Sequence, residues 1–218
     1  MANSLPEIAY EKLKWAIIKG ELASNTSISE RKFSEKYGIS RTPLREALAR
    51  LGQDGFVLNY PNLGYIVAPI TFKDIIDIFD VRLCIESFAL TQICEYKIPV
   101  DSDLLRKINS EYFEAGKAGD DETLIIKNVE FHKVAVDSLK NTYISNIYNQ
   151  TRDMILRLAF ASNKVSPVVT VTGYQEHEGI IQCLEGYKLA EGIKEASLHL
   201  KKGRDNILEA AKGTITYL

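Results

Sequence analysis

Tyr37-Gly-Ile-Ser-Arg-Thr-Pro-Leu-Arg-Glu-Ala-Leu-Ala-Arg-Leu51 packs a turn, a helix start and two faces of opposite character into fifteen residues. Gly38 can take the positive φ that closes one helix. Ser40 or Thr42 can accept hydrogen bonds from first-turn N–H groups, and Pro43 costs nothing where its missing N–H had no partner. A second helix therefore starts at about Ser40 to Thr42. Leu44, Ala47, Leu48 and Leu51 then recur at helical spacing as a buried stripe, while Arg41 and Arg45, four apart, share another face.

The neighbouring segments extend this into a small domain. Ala9, Leu13, Ala16 and Ile17 mark the inner face of a helix from about Leu5 to Lys19, stopped by Gly20. Ser27-Ile-Ser-Glu30 fits a capping box, opening a helix with Phe33 inward that ends at Gly38. Beyond Leu51, Asp54-Gly55 ends the second helix, Phe56 to Tyr60 reads as a strand, Pro61 to Gly64 as a turn and Tyr65 to Ala68 as the returning strand. Three helices and a hairpin over residues 1–70 make a winged helix-turn-helix. Its logic for DNA is that a helix start carrying Arg41, Thr42 and Arg45 can enter a major groove, where Arg donates in bidentate fashion to guanine. Ser40 borders that helix start, and phosphate contacts fall to Arg31 and to the wing turn at Asn62 and Gly64.

Composition sets the frame. The 218 residues, 45% of them hydrophobic, allow one large domain or two modest ones with a real core. The apolar runs are short or broken by charge, and the Met-Ala-Asn-Ser start lacks a basic region, so a soluble, cytoplasmic protein is expected. Cys84, Cys94 and Cys183 are odd in number, far apart and set in apolar helical patterns, which suits reduced, buried thiols. The net charge of −2 divides unevenly: residues 1–70 carry nine Lys and Arg against seven Asp and Glu, and the remainder is net −4. Affinity for phosphate must then come from a local patch.

Residues 71–218 read as an all-helical antiparallel bundle, so the whole chain is mainly α. Thr71 with Asp74 is a second capping-box pattern, and Ile75, Ile78, Phe79, Leu83, Phe88 and Ala89 carry an apolar period to about Tyr96. Lys97-Ile-Pro99 breaks it, Asp101 caps a helix to Ala115, and Gly116 to Asp121 is a turn. Further helices are expected over about Glu122–Leu139, Thr142–Ser162, Tyr174–Glu185 and Leu189–Lys212, with Val168 to Val171 a connecting loop. The three histidines, His132, His177 and His199, fall on three different helices. Asn128 lies four residues before His132, so the two side chains stack on one helix face, as two ligands of one ion require.

The run Ser40-Arg-Thr-Pro-Leu-Arg-Glu-Ala-Leu48, with Leu51, Asp54-Gly55 and the Asn62-Leu-Gly64 wing, resembles the DNA-binding domain of GntR-family transcriptional regulators over about residues 8–70. Two departures stand out: Ala23-Ser-Asn-Thr26 replaces the usual Pro-Pro-Gly, and Leu63 sits where the wing often carries a basic residue. Asn128-Val-Glu-Phe-His132, Glu176-His-Glu-Gly-Ile180 and Ser197-Leu-His-Leu200, with Arg82 and Glu86, are similar to the FCD effector-binding domain over about residues 75–205. The resemblance implies a divalent metal (Zn, Ni or Mn) held by Asn128, His132, His177 and His199, and a small organic acid bound beside it that changes DNA affinity. The family usually has Asp where this chain has Asn128, so three neutral imidazoles and an amide leave the metal's charge uncompensated. Metal affinity should fall and attraction for an anionic effector should rise.

Arg82 either meets the effector's carboxylate or pairs with Glu86 four residues on. Arg152, Arg157 and Tyr174 lie in segments that can line the same cavity. The reading that follows is a regulator, not an enzyme, that binds a palindromic DNA operator as a homodimer and has no membrane partner. The alternatives are a metal-dependent enzyme acting on a small carboxylate, with Glu130, Glu176 or Glu178 as a base, and a regulator with a metal-free pocket.

Overall fold

In the computed structural model, residues 4–163 and 170–212 are described, and the chain divides into two compact units, Met1–Ile70 and Thr71–Leu218. The first begins with α1 (Leu5–Ile18), capped by the Ser4 hydroxyl, which accepts from the Glu7 N–H at 3.4 Å. Next come α2 (Glu30–Tyr37) and α3 (Arg41–Gln53). Gly38 takes φ 66°, the left-handed conformation a helix end needs, and its N–H returns to the Ser34 carbonyl at 2.9 Å. Leu13, Leu44, Leu48 and Leu51 are completely buried, so the stripe expected on α3 packs against α1.

Strands β1 (Val57–Tyr60) and β2 (Gly64–Val67) pair antiparallel with Val57 opposite Val67 and Tyr60 opposite Gly64. Asn62 and Gly64 take φ of 68° and 77° to turn the wing.

Two local expectations change. The cap of α2 is Ser29, whose hydroxyl accepts from Lys32 N–H at 3.3 Å, not Ser27. Ser27 is extended and bridges Ile66, and the Ile28 N–H donates to the Tyr65 carbonyl at 2.8 Å, so this segment lies along the wing as an extra strand-like edge. Ser40 occupies the cap position of α3 without a side-chain cap bond, which leaves its hydroxyl exposed.

The second unit holds α4 (Phe72–Tyr96), α5 (Ser102–Ala118), α6 (Asp121–Ser138), α7 (Thr142–Asn163), α8 (Thr170–Glu185) and α9 (Leu189–Ala211). Thr71 and Asp74 form the full reciprocal capping box. The turn expected at Gly116–Asp121 is shorter: α5 runs on to Ala118, Gly119 closes it at φ 71°, and Asp120 caps α6. Helix α8 starts four residues before Tyr174, so Thr170 and Val171 of the expected loop are helical; Val168 and Val169 lie outside the described residues.

Antiparallel packing of α4 on α9 follows from two approaches. A Cβ on Gly203 would lie 3.6 Å from Phe79 Cε1, and one on Gly192 would lie 3.9 Å from Leu90 Cδ2, so the two helices run oppositely in step. Leu90, Ile93, Leu105, Ile108, Phe131, Ile180, Ile181 and Leu184 form a hydrophobic core in this unit. Truncating such a fully buried side chain as Ile181 costs about 2–5 kcal/mol. Cys94 and Cys183 are buried free thiols as expected, but Cys84 is exposed together with Val81 and Phe88. These three, at spacings of three and four, form an outer face of α4 that the apolar period does not distinguish from its inner one. No described helix is long and apolar enough to cross a membrane.

Candidate functional site

The candidate DNA-reading surface is the start of α3. Arg41, Thr42 and Arg45 are all exposed there, Arg31 is exposed near the start of α2, and Asn62 and Gly64 are exposed in the wing. Arg45 Nε donates to Glu30 Oε2 at 2.9 Å, and Arg31 Nη1 donates to Glu35 at 3.1 Å. A carboxylate on Nε fixes the guanidinium plane and leaves both terminal nitrogens of Arg45 outside that bond. Glu30 was visible in the sequence only as part of a capping pattern. Its reach to Arg45 depends on how α2 and α3 pack.

In the second unit, α6, α8 and α9 bring His132, His177 and His199 together, with potential ligand atoms all within 4.8 Å of one another. His132 Nδ1 lies 2.9 Å from Glu86 Oε2. Burial opposes a charge on Glu86, but His132 and Arg82 beside it outweigh that and hold the carboxyl well below its usual range. An ionised carboxylate only accepts, so His132 donates from Nδ1 and turns the lone pair of Nε2 inward. Arg82 Nε at 2.9 Å and the Tyr148 hydroxyl at 3.0 Å donate to the other oxygen of Glu86.

The other two rings are set in the same way. His199 Nδ1 lies 2.7 Å from Glu176 Oε2, and Glu176 is pulled down to about 2 by that bond and by Lys202 against the opposing effect of burial. His177 Nδ1 faces Asn109 Oδ1 at 2.9 Å, while Asn109 Nδ2 donates to Glu178 at 2.7 Å and to the Tyr174 carbonyl at 3.2 Å. That amide orientation makes His177 the donor at Nδ1. Its ring stacks on Phe131 with centroids 3.9 Å apart.

All three Nε2 lone pairs therefore converge. His132 Nε2 and His199 Nε2 stand 3.1 Å apart, and His177 Nε2 is buried with no hydrogen-bond partner. Burial first, with Arg82 and His199 adding to it against Glu86, lowers His132 to about 4, and burial with the neighbouring charges puts His177 well below its ordinary value. Both are neutral near pH 7, as ligands must be. The 3.1 Å separation is near the roughly 3.3 Å edge of a tetrahedral site at ordinary zinc–nitrogen lengths. The donor set fits a divalent cation, and each imidazole has the outer partner that such ligands use.

A cavity of about 360 Å³ adjoins the triad, lined by Asn128, His199, Arg82 and Glu176 among others. Arg82 is thus both the ion-pair partner of Glu86 and a cavity residue, and its Nη2 is buried without a hydrogen-bond partner. The other three effector candidates are not among the lining residues. Arg152 stands 3.9 Å from Asp153, Arg157 is only 2% exposed on α7 near the charge of Asp74, and the Tyr174 ring packs on Phe113. Their helices contribute other residues to the cavity wall, and Arg152 Nε, like Arg82 Nη2, is buried without a hydrogen-bond partner. Asn109 and Tyr148 were missed by sequence reasoning. For Asn109 a signal existed, a polar residue inside the apolar row Leu105, Ile108, Tyr112; nothing marked Tyr148.

The model for the gntR family of bacterial regulatory proteins matches residues 5–67, and that for the FCD domain matches residues 77–201. The chain belongs to the GntR family, in its FCD branch. It is 28% identical over 195 residues to the gluconate operon transcriptional repressor of Bacillus licheniformis, covering 89% of this chain and 79% of that protein. It is also 29% identical over 147 residues to the HTH-type transcriptional regulator YdhC of Bacillus subtilis (strain 168), covering 67% of this chain and 66% of that one. A GntR transcriptional regulator from Rhodococcus sp. RHA1 has the same fold, with TM-score 0.82 at 17% identity over 95% of this chain and 99% of that one. This GntR/FCD protein is a DNA-binding transcriptional regulator, with the winged helix-turn-helix followed by a helical domain whose histidine triad could hold a metal.

Proposed function

We propose that this regulator reads a palindromic operator as a homodimer, and that a small organic acid bound beside a divalent metal sets its operator affinity. The observation that carries the metal is the convergence of three Nε2 atoms, one of them buried and unpartnered, on the edge of a cavity. His132, His177 and His199 hold the ion (Zn, Ni or Mn), with Asn128 from the same face of α6 as His132. When bound, the metal supplies positive charge for a carboxylate. The chain contributes Arg82, whose Nη2 is available for the same anion, and the partners that fix each ring.

On the output side, Arg41, Thr42 and Arg45 address base edges, and Arg31, Ser40, Asn62 and Gly64 hold the backbone. Each winged helix covers one half-site, so a two-fold pair matches a palindrome. The exposed apolar residues Val81 and Phe88 of α4, and Tyr143 and Ile147 of the neighbouring α7, favour a second copy covering this face. The acid then acts by favouring one arrangement of the dimer over another. The enzyme reading gains nothing from the relatives named above, which are transcriptional regulators, and Glu176 is committed to His199 and Lys202.

The test combines elemental analysis of untagged protein with a mobility shift on DNA from upstream of its own gene, with and without added acids. Stoichiometric metal and an acid-dependent shift are expected. Protein that stays metal-free after addition of Zn, Ni or Mn salts would overturn the metal reading and leave the pocket as a metal-free one.

A further inference from the structure

We infer that the effector is a carboxylate with an apolar body, held by its charged end at the triad and Arg82, and that polyhydroxylated acids and dicarboxylates of the same length are excluded. This rests on the reading that the cavity takes an anionic effector.

The argument is one of levels along the bundle. Helix α9 lines the cavity with His199, Lys202, Gly203, Asn206 and Ile207, a single face about 12 Å long at 1.5 Å per residue. At its inner end stand His199, bonded to Glu176 and facing His132, which is tied through Glu86 to Arg82. One turn on, Gly203 lies against Phe79 of antiparallel α4. On α6, Asn128 is one turn before His132, and Leu124 and Ile125 are a further turn away from the triad. On α7, Tyr148 meets Glu86 at the inner end, so Ile155 and Ala159, two and three turns on, lie towards the outer end. The polar groups thus gather at one end, and the walls beyond are Phe79, Leu124, Ile125, Ile155, Ala159 and Ile207.

The polar residues of the outer part do not alter this. Lys202 is held by Glu176 at 2.5 Å, and Thr172, Lys202 and Asn206 are exposed at the rim, where they can stay in water. A second carboxylate or a row of hydroxyls placed along the walls would leave water for apolar side chains without partners for its hydrogen bonds. An alkyl or aryl body gains by being buried there.

Three six-carbon acids separate these cases: hexanoate, gluconate, with five hydroxyls on the same backbone, and adipate, with a second carboxylate. Each is titrated by calorimetry into the full-length, zinc-loaded protein, alongside acetate, butanoate and octanoate, and bound zinc is measured after each titration. Affinity should rise about fourfold per added methylene from acetate to hexanoate, roughly two hundredfold overall, with hexanoate well ahead of gluconate and adipate. In Ile207→Asn, half-buried and so tolerant of change, the chain-length gain should shrink while acetate affinity stays the same. Gluconate or adipate binding as tightly as hexanoate, or a flat series, would overturn the apolar-body inference and leave the effector reading standing. Failure of every acid to bind would overturn both.

Discussion

Replacing Glu86 with Gln removes one charge from the most connected point of the helical unit and changes almost no volume. Glu86 is 5% exposed and accepts from Arg82 Nε, the Tyr148 hydroxyl and His132 Nδ1 at 2.9, 3.0 and 2.9 Å. A glutamine has one acceptor oxygen to serve three donors that two oxygens served before. If its NH₂ turns to His132, that ring must change tautomer and lose its inward Nε2 lone pair. If it turns to Arg82 and Tyr148, the Tyr148 hydroxyl can turn to accept, but the Arg82 N–H faces another donor. In either pose the guanidinium of Arg82, 4% exposed, loses its counter-ion. Breaking one side of a buried pair costs about 3–5 kcal/mol, a large part of the 5–15 kcal/mol that a domain has.

The assay is urea unfolding of the metal-free full-length protein at pH 7.5, followed by helical circular dichroism. The midpoint of Glu86→Gln should fall accordingly, and adding Arg82→Met should recover much of the loss by removing the stranded charge. A single variant within about 1 kcal/mol of the parent, or a double variant no better than the single one, would refute the account of Glu86 as the counter-ion that the site is built on.

Further outcomes follow from the same geometry. His132 and His177 are held below the ordinary 6.5, so the unfolded chain takes up protons there first; stability of the metal-free protein is full above pH 6.5 and declines as pH falls towards the value of about 4 at His132. The depressed Glu86 adds to the loss below about 4.5, and unfolding curves between pH 8 and 4 check the sign, which a flat profile would contradict. Asn128→Asp should raise zinc affinity on the order of tenfold or more, since even an outer partner is worth that much; competition with a chelating dye measures it, and no gain would remove position 128 from the ligand set. Arg45→Ala should cost about 1–3 kcal/mol of discrimination at the base it reads, while Glu30→Gln should blunt the same preference and spare non-specific binding, both read from mobility shifts on operator variants. Equal loss on every sequence would reassign Arg45 to phosphate.

Much of the fold was legible because it depends on neighbours three or four residues apart. Gly38 with its positive φ, the Thr71–Asp74 box and the Leu44, Leu48, Leu51 stripe each report a local requirement, and the structure meets each one. Where two local answers were equally good, packing chose. Ser27 and Ser29 both suit a helix cap, and the bridge of Ser27 to Ile66 decided for Ser29. Cys84 and Phe88 belong to an apolar period that does not say which side of α4 the bundle covers, and both face outward.

For the candidate site, the three histidines stood out in the sequence by type and by the motifs around them, and they do come together. What a sequence of separate helices does not contain is the order in which those helices pack. Asn109 on α5, Tyr148 on α7 and Glu176 on α8 become partners of the site only through it, and the same packing leaves Arg152, Arg157 and Tyr174 outside the residues that line the cavity. The sequence by itself determined the elements and the donor types, because caps and periods are short-range. Tertiary structure alone decided the tautomers, the unpartnered Nε2 of His177 and the polar and apolar ends of the cavity, because each is set by side chains brought together from helices far apart in the chain.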